Sequence, residues 1–376
     1  MTKTSIAIVG LGAVADRIHL PACRALPQLD VIAGCDPDAG ARARMAQRFG
    51  IPRTYPGIDE MLAEVRPEIV LIGAPPGTHF TTAARALDSG AHVLCEKPFM
   101  NTIDEADRII DLARSRRRLL RVNNQYRFMS CYRETRQRLE RGDFGRVHYI
   151  QVWQQMFHPP TMERNWRSRM KQYVLYEFGT HALDLISFFF DSLPESASFH
   201  MPQCRPEFDS DVLVIGAMRF PGERVATLSL NRVAHAPEKY LEMRLDCEEA
   251  SVRISLGGVA RASIEWSRAA RRPVWKAGLA KGGQARVERR GRSEAFRTSR
   301  QPEFAAATAR HLEVFLRDMR DAEPPLDAAR HSREILAVAF AGYESARTGE
   351  TVWLDGRARP PLRHSRGPQL VTEPRA

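Results

Sequence analysis

Cysteine is scarce in this 376-residue chain: six residues, at positions 23, 35, 95, 131, 204 and 247, with no C-x-x-C pair. Such scatter argues against a disulfide framework and against a zinc site, so no metal is expected and a reducing, cytoplasmic setting is. Long apolar runs are lacking too. None approaches the ~18 residues that a membrane span requires. Met1-Thr2-Lys3-Thr4 and the five fairly apolar residues after it are too short for a signal peptide. Acidic residues are in deficit, 45 against 56 Lys and Arg, which leaves a net charge of +11. The excess is local: residues 261–300 hold twelve Lys or Arg against Glu265, Glu288 and Glu294, and 355–376 hold five Arg against Asp355 and Glu373. The body of the chain is therefore near neutral. With no helix-turn-helix or finger pattern beside the basic stretches, specific nucleic-acid binding is not expected. The 261–300 stretch reads as a solvated loop, or one facing a phosphate-bearing substrate, and the Pro- and Arg-rich tail as disordered.

What is present is ample for a folded core: 43% hydrophobic and 27% charged residues, in a length that suits two to three domains. Ser5-Ile6-Ala7-Ile8-Val9 is an apolar run of strand length. It breaks into Gly10-Leu11-Gly12-Ala13-Val14-Ala15, continues as a helix-compatible segment to Ala25, and is followed by the strand Val31–Cys35 and by Asp36. Strand, glycine turn, helix, strand and acid make up the dinucleotide-binding fingerprint. Gly10 permits the tight turn, Gly12 lets backbone approach a pyrophosphate, and Ala15 lets the helix pack close to the strand. The helix N-terminus offers its free N–H groups to phosphate. Asp36 would accept from ribose hydroxyls and repel a 2′-phosphate, favouring NAD over NADP.

Strands at Ile69–Ile72, His92–Glu96 and Leu119–Asn123 alternate with helices ending at Phe49, Val65, Ser89 and about Ser115. That alternation predicts a doubly wound parallel sheet over residues 1–123. Ala74-Pro75-Pro76-Gly77-Thr78-His79 reads as a rigid, non-helical turn. From residue 124 the pattern changes to period-two strands at 147–154, 212–220, 225–232, 240–246 and 251–255, with helices near 131–141, 181–190, 305–320 and 332–347. The expectation for residues 124–354 is an α+β domain on a large, mostly antiparallel open sheet, its last helix packing back on the first domain.

Two further groups carry chemistry. Glu96-Lys97-Pro98 follows a parallel strand at the carboxyl edge of the sheet, where open α/β sheets bind ligands. A lysine desolvated there would have a lowered pKa and could exchange a proton, and the Lys97–Pro98 bond is a candidate for the cis form. Glu177-Phe178-Gly179-Thr180-His181-Ala182-Leu183-Asp184 places a carboxylate one helical turn before a histidine. His181 would take a hydroxyl proton while Glu177 orients the ring. His158, Arg164, Arg167, Arg169 and Lys171 lie just upstream, and the cations among them suggest a carboxylate or nucleotide-sugar phosphate on the substrate.

Taken together, Gly10–Ala15, His19-Leu20-Pro21, Glu96-Lys97-Pro98-Phe99, Asn123–Phe128, Trp166-Arg167, Gly179–Asp184 and Tyr343–Glu350 resemble the Gfo/Idh/MocA oxidoreductases, the family of glucose–fructose oxidoreductase, inositol dehydrogenase and rhizopine-catabolism proteins. The resemblance implies NAD(P)-dependent hydride transfer at a hydroxyl or keto carbon of a sugar, sugar derivative or cyclitol. It also implies a homo-oligomer, dimer or tetramer, formed through the open sheet. Lys97 and His181 match the family's catalytic lysine and histidine, and Glu177 stands where an aspartate is usual. The cofactor set implied is Gly10, Gly12, Ala13, Val14, Asp36, Ala74, Pro75, Thr78, His79, Glu96, Lys97 and Asn124. The substrate set is Tyr126, Arg127, Trp166, Arg167, His181 and Asp184. Lys171-Gln172-Tyr173-Val174 replaces a usual glycine-rich stretch, which alters the expected pocket. Two other activities fit the same motifs: a glycosidase that oxidises its sugar transiently with bound NAD, and a non-catalytic dinucleotide sensor.

Overall fold

Ile6 and Ile8 pack into one buried cluster while Ala7 and Val9 pack into another, and in the strand beside them Ile69 and Leu71 divide from Val70 and Ile72 in the same way. Alternation of that kind, apolar on both faces, is what a parallel strand covered by helices on two sides requires. Each of the Ile, Leu and Val side chains contributes about 1.5–3 kcal/mol on burial. The computed structural model describes residues 3–163, 165–257, 259–267, 272–280 and 282–354. For 259–267, 273–274 and 276–280 it describes the backbone course only. The expected disordered tail beyond Leu354 and Arg164 of the basic cluster lie outside the described residues.

The first sheet comprises β1 (Thr4–Val9), β2 (Leu29–Cys35), β3 (Thr54–Tyr55), β4 (Ile69–Ile72), β5 (His92–Cys95) and β6 (Leu120–Val122). Its order is β3-β2-β1-β4-β5-β6 with every pairing parallel, the dinucleotide-binding topology. Between β1 and β4 the strand order reverses, and there the two strand ends close on each other. A Cβ on Gly10 would lie 2.6 Å from the Ala74 nitrogen, and Gly10 has φ +87°. Only glycine fits that turn.

The second sheet joins β7 (Val147–Gln155), β8 (Ser196–His200), β9 (Leu213–Phe220), β10 (Arg224–Asn231), β11 (Lys239–Cys247) and β12 (Ser251–Leu256) with β15 (Gly283–Arg289), β16 (Arg292–Ser299) and β17 (Val352–Trp353). The order is β16-β15-β12-β11-β7-β10-β9-β8-β17, antiparallel except for β7 beside β10. Between β12 and β15 runs a separate two-stranded ribbon, β13 (Val259–Ser267) with β14 (Arg272–Ala280). This corrects the reading of 261–300 as a loop. Arginine-rich strands carry no hydrophobic alternation strong enough to announce them, and ladder pairing overrides composition. β8 was likewise not anticipated.

Helices Phe304–Asp318 and Asp327–Thr348 tie the two sheets together. From the first, Leu312, Phe315 and Leu316 join Ile6 and Ile8; from the second, Ala329 and Leu336 pack on the opposite side of the parallel sheet while Ile335, Val338 and Ala339 enter the core of the large sheet. The nucleotide crevice and the second domain's helices are thereby held in one packed body. No described helix is long and apolar enough to cross a membrane.

Candidate functional site

At the end of β1 the chain turns at Gly10 and enters a helix that is π-wound over Ala15–His19 before Leu20–Arg24 resumes the α form. Gly12 faces open space: a Cβ there would meet nothing within 4 Å. Exposed Ala13 and half-buried Val14 lie beside it. Across the crevice, Asp36 ends β2, and each of its carboxylate oxygens accepts one backbone N–H, from Leu11 and from Asp38, both at 2.8 Å. The opposite rim is Ala74, exposed Pro75 and exposed Thr78. A cradle open at Gly12 and closed by a fixed carboxylate at Asp36 fits a dinucleotide, with pyrophosphate over the turn and ribose at the acid.

Three expectations along this rim change. Pro76–Thr78 form a single 3-10 turn rather than a non-helical one, because proline's fixed φ already suits the first helical position. His79 is fully buried, with Nδ1 3.0 Å from the Pro98 carbonyl and Nε2 2.9 Å from the Ala74 carbonyl. It staples the two loops of the rim together, both ring nitrogens being taken up by backbone carbonyls. Glu96 is also buried: Oε1 accepts from Asn123 Nδ2 at 2.7 Å and lies 2.8 Å from His19 Nε2. Burial would raise its pKa, but His19 and Asn123 outweigh that and bring it down to about 2. Glu96 thus lies buried beneath the Lys97 loop, its Oε1 engaged by His19 and Asn123.

Lys97, on a cis Lys97–Pro98 peptide, extends out of the parallel sheet to the other domain. Its Nζ donates to the Glu177 carbonyl at 2.7 Å and to Glu177 Oε1 at 3.1 Å. The same Oε1 accepts from Arg167 Nε and Nη2 at 3.0 and 2.9 Å. Here too burial is opposed, by Lys97 and then Arg167, and the carboxyl falls to about 2. Two sequence-based expectations are revised by this contact. Lys97 is paired with a carboxylate rather than isolated, and Glu177 holds Lys97 and Arg167 instead of orienting His181.

The reason is local winding. Residues Val174–Gly179 are π-wound before the α-helix Thr180–Phe190 begins, which turns Glu177 away from the histidine four residues on. π-bulges of this kind gather at functional sites. Asp211 caps the segment, accepting from the backbone N–H groups of Tyr173, Val174 and Leu175 at 2.5, 3.0 and 2.8 Å. No local signal links Asp211 to a helix start 36 residues earlier.

His181 is 5% exposed and lies flat on Tyr126, ring centroids 3.9 Å apart and 4° from parallel. Burial and the nearby Lys97 charge hold its pKa down at about 3, so the ring is neutral. Beneath it, the Tyr126 hydroxyl meets the Tyr240 hydroxyl at 2.9 Å. Tyr126 is therefore a buried platform with its oxygen already engaged. Arg127 and Asp184, expected on the substrate, instead pair with each other: Arg127 Nε donates to Asp184 Oδ2 at 2.7 Å, and His331 Nε2 lies 3.1 Å from Oδ1. Burial notwithstanding, Arg127 and His331 keep the Asp184 carboxyl at about 2. That trio ties Thr180–Phe190 to Asp327–Thr348. Asn124 Nδ2 reaches Ser332 Oγ at 3.1 Å, in a small cleft shared with Lys97 and Thr180. Half-buried Trp166 packs under the Arg167 guanidinium, 4.4 Å from its ring. Lys171 pairs with Asp209 in solvent, and Arg169 is exposed. Sequence reasoning missed Tyr240, Arg232, Asp211 and His331, all brought in by sheet or helix packing. Among the described residues, no three His, Cys, Asp or Glu side chains gather as a metal would require.

Family models match on both sides of the junction: an oxidoreductase family with an NAD-binding Rossmann fold over residues 4–124, and the GFO/IDH/MocA C-terminal domain over 132–253. The chain belongs to the GFO/IDH/MocA oxidoreductase family. It is 31% identical over 188 residues to an uncharacterized oxidoreductase of Schizosaccharomyces pombe, covering 49% of this chain and 51% of that one. To the D-glucoside 3-dehydrogenase of Escherichia coli it is 29% identical over 143 residues, 38% of this chain and 41% of the relative. The chain thus spans about half the length of the curated relatives it matches. Myo-inositol 2-dehydrogenase from Lactobacillus plantarum has the same fold, with a TM-score of 0.76, 19% identity, and coverage of 94% of this chain and all of that one.

Proposed function

We propose that this family member is an NAD-dependent dehydrogenase acting on a secondary hydroxyl of a sugar, sugar derivative or cyclitol. The observation carrying the reading is the contact across the domains: Lys97, from the edge of the parallel sheet, is bonded to Glu177 four residues before His181, and its charge acts on that ring. NAD, when bound, supplies the hydride acceptor. Gly10, Gly12, Ala13 and Val14 would hold its phosphates and Asp36 its ribose. Asp36 disfavours a 2′-phosphate, and Arg42, whose Nη1 donates to the Asp36 and Pro37 carbonyls at 2.7 and 3.0 Å, is engaged elsewhere. The neutral His181 ring takes the hydroxyl proton of the substrate. Lys97 donates to the same oxygen as negative charge develops on it. D-Glucoside and inositol dehydrogenation by the two relatives named above supports this substrate class.

The outward face of the large sheet exposes Ile215 and Val225, 47% and 37% accessible; we assign it to contact between copies of the chain. All six cysteines are free, which suits a cytoplasmic protein. The test is oxidation of sugars and cyclitols with NAD, followed as NADH absorbance, in wild type, K97A and H181A. Both variants are expected to lose at least two orders of magnitude in turnover while binding NADH normally by fluorescence. Bond cleavage without net NADH would favour the glycosidase alternative. Loss of NADH binding in both variants would show that these side chains serve the cofactor instead.

A further inference from the structure

The cations that the sequence offers for an anionic substrate are spent or remote: Arg167 is bonded to Glu177, and Lys171 pairs with Asp209, both about four-fifths exposed or more. Another cation stands closer. Arg232 follows β10, and its guanidinium carbon lies 5.5 Å from the Tyr173 ring and 5.9 Å from the Phe178 ring. Phe178 in turn lies 6.1 Å from the His181 ring and 5.6 Å from Tyr240. Arg232 is thus one aromatic ring away from the group that would take the substrate proton.

Its own partners are neutral. Nη1 donates to Met156 Sδ at 3.0 Å and Nη2 to the Tyr173 hydroxyl at 3.2 Å. Among the described residues no carboxylate oxygen comes within 4.0 Å, whereas Arg127, Arg121 and Arg167, also near the domain junction, each have one. The same Tyr173 hydroxyl donates to Glu163 Oε1 at 3.2 Å, and Glu163 is also engaged by His158 and Asn165. A guanidinium has five N–H donors. Arg232 uses two and packs against two aromatic rings, and among the described residues its remaining donors meet no anion.

We propose that Arg232 binds a carboxylate of the substrate, so that the preferred substrates are sugar acids of the uronate type rather than neutral sugars. This rests on the dehydrogenase reading for the position of the reacting carbon. A single cation matches a monoanion; a phosphate, at about −1.5 to −2, would call for more. One aromatic ring of separation also suits a carboxylate carried on the same six-carbon sugar as the reacting hydroxyl.

The test is calorimetric titration of the full-length, NADH-saturated protein with D-glucuronate and D-galacturonate, their parent neutral sugars, and D-glucose 6-phosphate, in wild type, R232Q and R232K. A uronate is expected to bind about ten- to a hundredfold more tightly than its parent sugar. R232Q should erase that preference, and R232K, which keeps the charge without the fork, should restore part of it. Equal affinity for acid and parent sugar, a preference surviving in R232Q, tightest binding of the phosphate ester, or binding of none of them would each overturn the assignment. Unchanged melting temperatures separate loss of recognition from loss of fold, R232K covering the case where R232Q is unstable. Uronates that bind but yield no NADH from NAD would leave Arg232 in place and sink the hydride-transfer reading instead.

Discussion

Glu177 offers the sharpest test of how the two domains are joined. In E177Q an acceptor oxygen remains but its negative charge is lost, so the three bonds of 2.9–3.1 Å from Lys97 and Arg167 are no longer ionic on the acceptor side. All three side chains are substantially shielded, at 13%, 12% and 25% exposure for Lys97, Glu177 and Arg167, so water screens the pair weakly. Removing one partner of a buried ion pair costs about 3–5 kcal/mol, because the remaining charge is stranded. Lys97 keeps the Glu177 carbonyl and Arg167 keeps its stacking on Trp166, so the low end, about 3 kcal/mol, is the expected loss. At neutral pH the carboxyl is ionised, its pKa lying near 2, and the full effect should appear. The assay is urea unfolding at pH 7, read by tryptophan fluorescence and far-UV circular dichroism, with E177D in parallel. E177D retains the charge on a shorter arm and should lose only about 1 kcal/mol. A change below about 0.5 kcal/mol in E177Q would refute the view that this carboxylate holds two cations across the junction.

The two glycines of the first turn should separate folding from binding. G10A forces a Cβ to 2.6 Å from the Ala74 nitrogen at φ +87° and should destabilise by about 1–3 kcal/mol. G12A, with nothing within 4 Å, should melt like wild type yet bind NADH at least tenfold more weakly, as measured by fluorescence titration. D36A should raise the affinity for NADP relative to NAD; an unchanged ratio in a binding titration would remove Asp36 from the ribose site. Acid should unfold the protein early. Burial depresses His181 and His311 to about 3, below the ~6.5 of an unfolded chain, so the unfolded state takes up protons that the fold refuses. Their stabilisation is complete above about pH 6.5 and is lost as pH falls toward 3. Glu96, Glu177 and Asp184, depressed to about 2, lose theirs as pH falls from about 4.5. The urea midpoint should therefore decline steadily below pH 6.5 and faster below 4.5; a midpoint unchanged between pH 7 and 5 would contradict this.

Local order carried much of the fold. Short, continuous β-branched runs bounded by turn residues favour strands buried on both faces, Gly10 can be nothing else at its turn, and Gly50 and Gly349 end their helices with positive φ. The β13–β14 ribbon and the arginine-rich strands β15 and β16 escaped because their evidence is pairing partners rather than periodicity. The candidate site divides in the same manner. Lys97 and His181 stand out as residues in ordered motifs, yet which carboxylate serves which cation did not follow from spacing.

The sequence by itself determined the glycine turn that closes β1 on β4 and the ordered motifs carrying Lys97 and His181, since turn geometry and side-chain chemistry act over a few residues. Only the tertiary structure decided that Glu177 belongs to Lys97 and Arg167, that Arg127 and Asp184 neutralise each other, that His79 is a staple, and that Arg232 lies one aromatic ring from His181 with no carboxylate within 4.0 Å among the described residues. Charge pairing is settled by distance through space and by desolvation, and both depend on how β10, the π-wound segment at Val174–Gly179 and the Lys97 loop pack, far apart as they are along the chain.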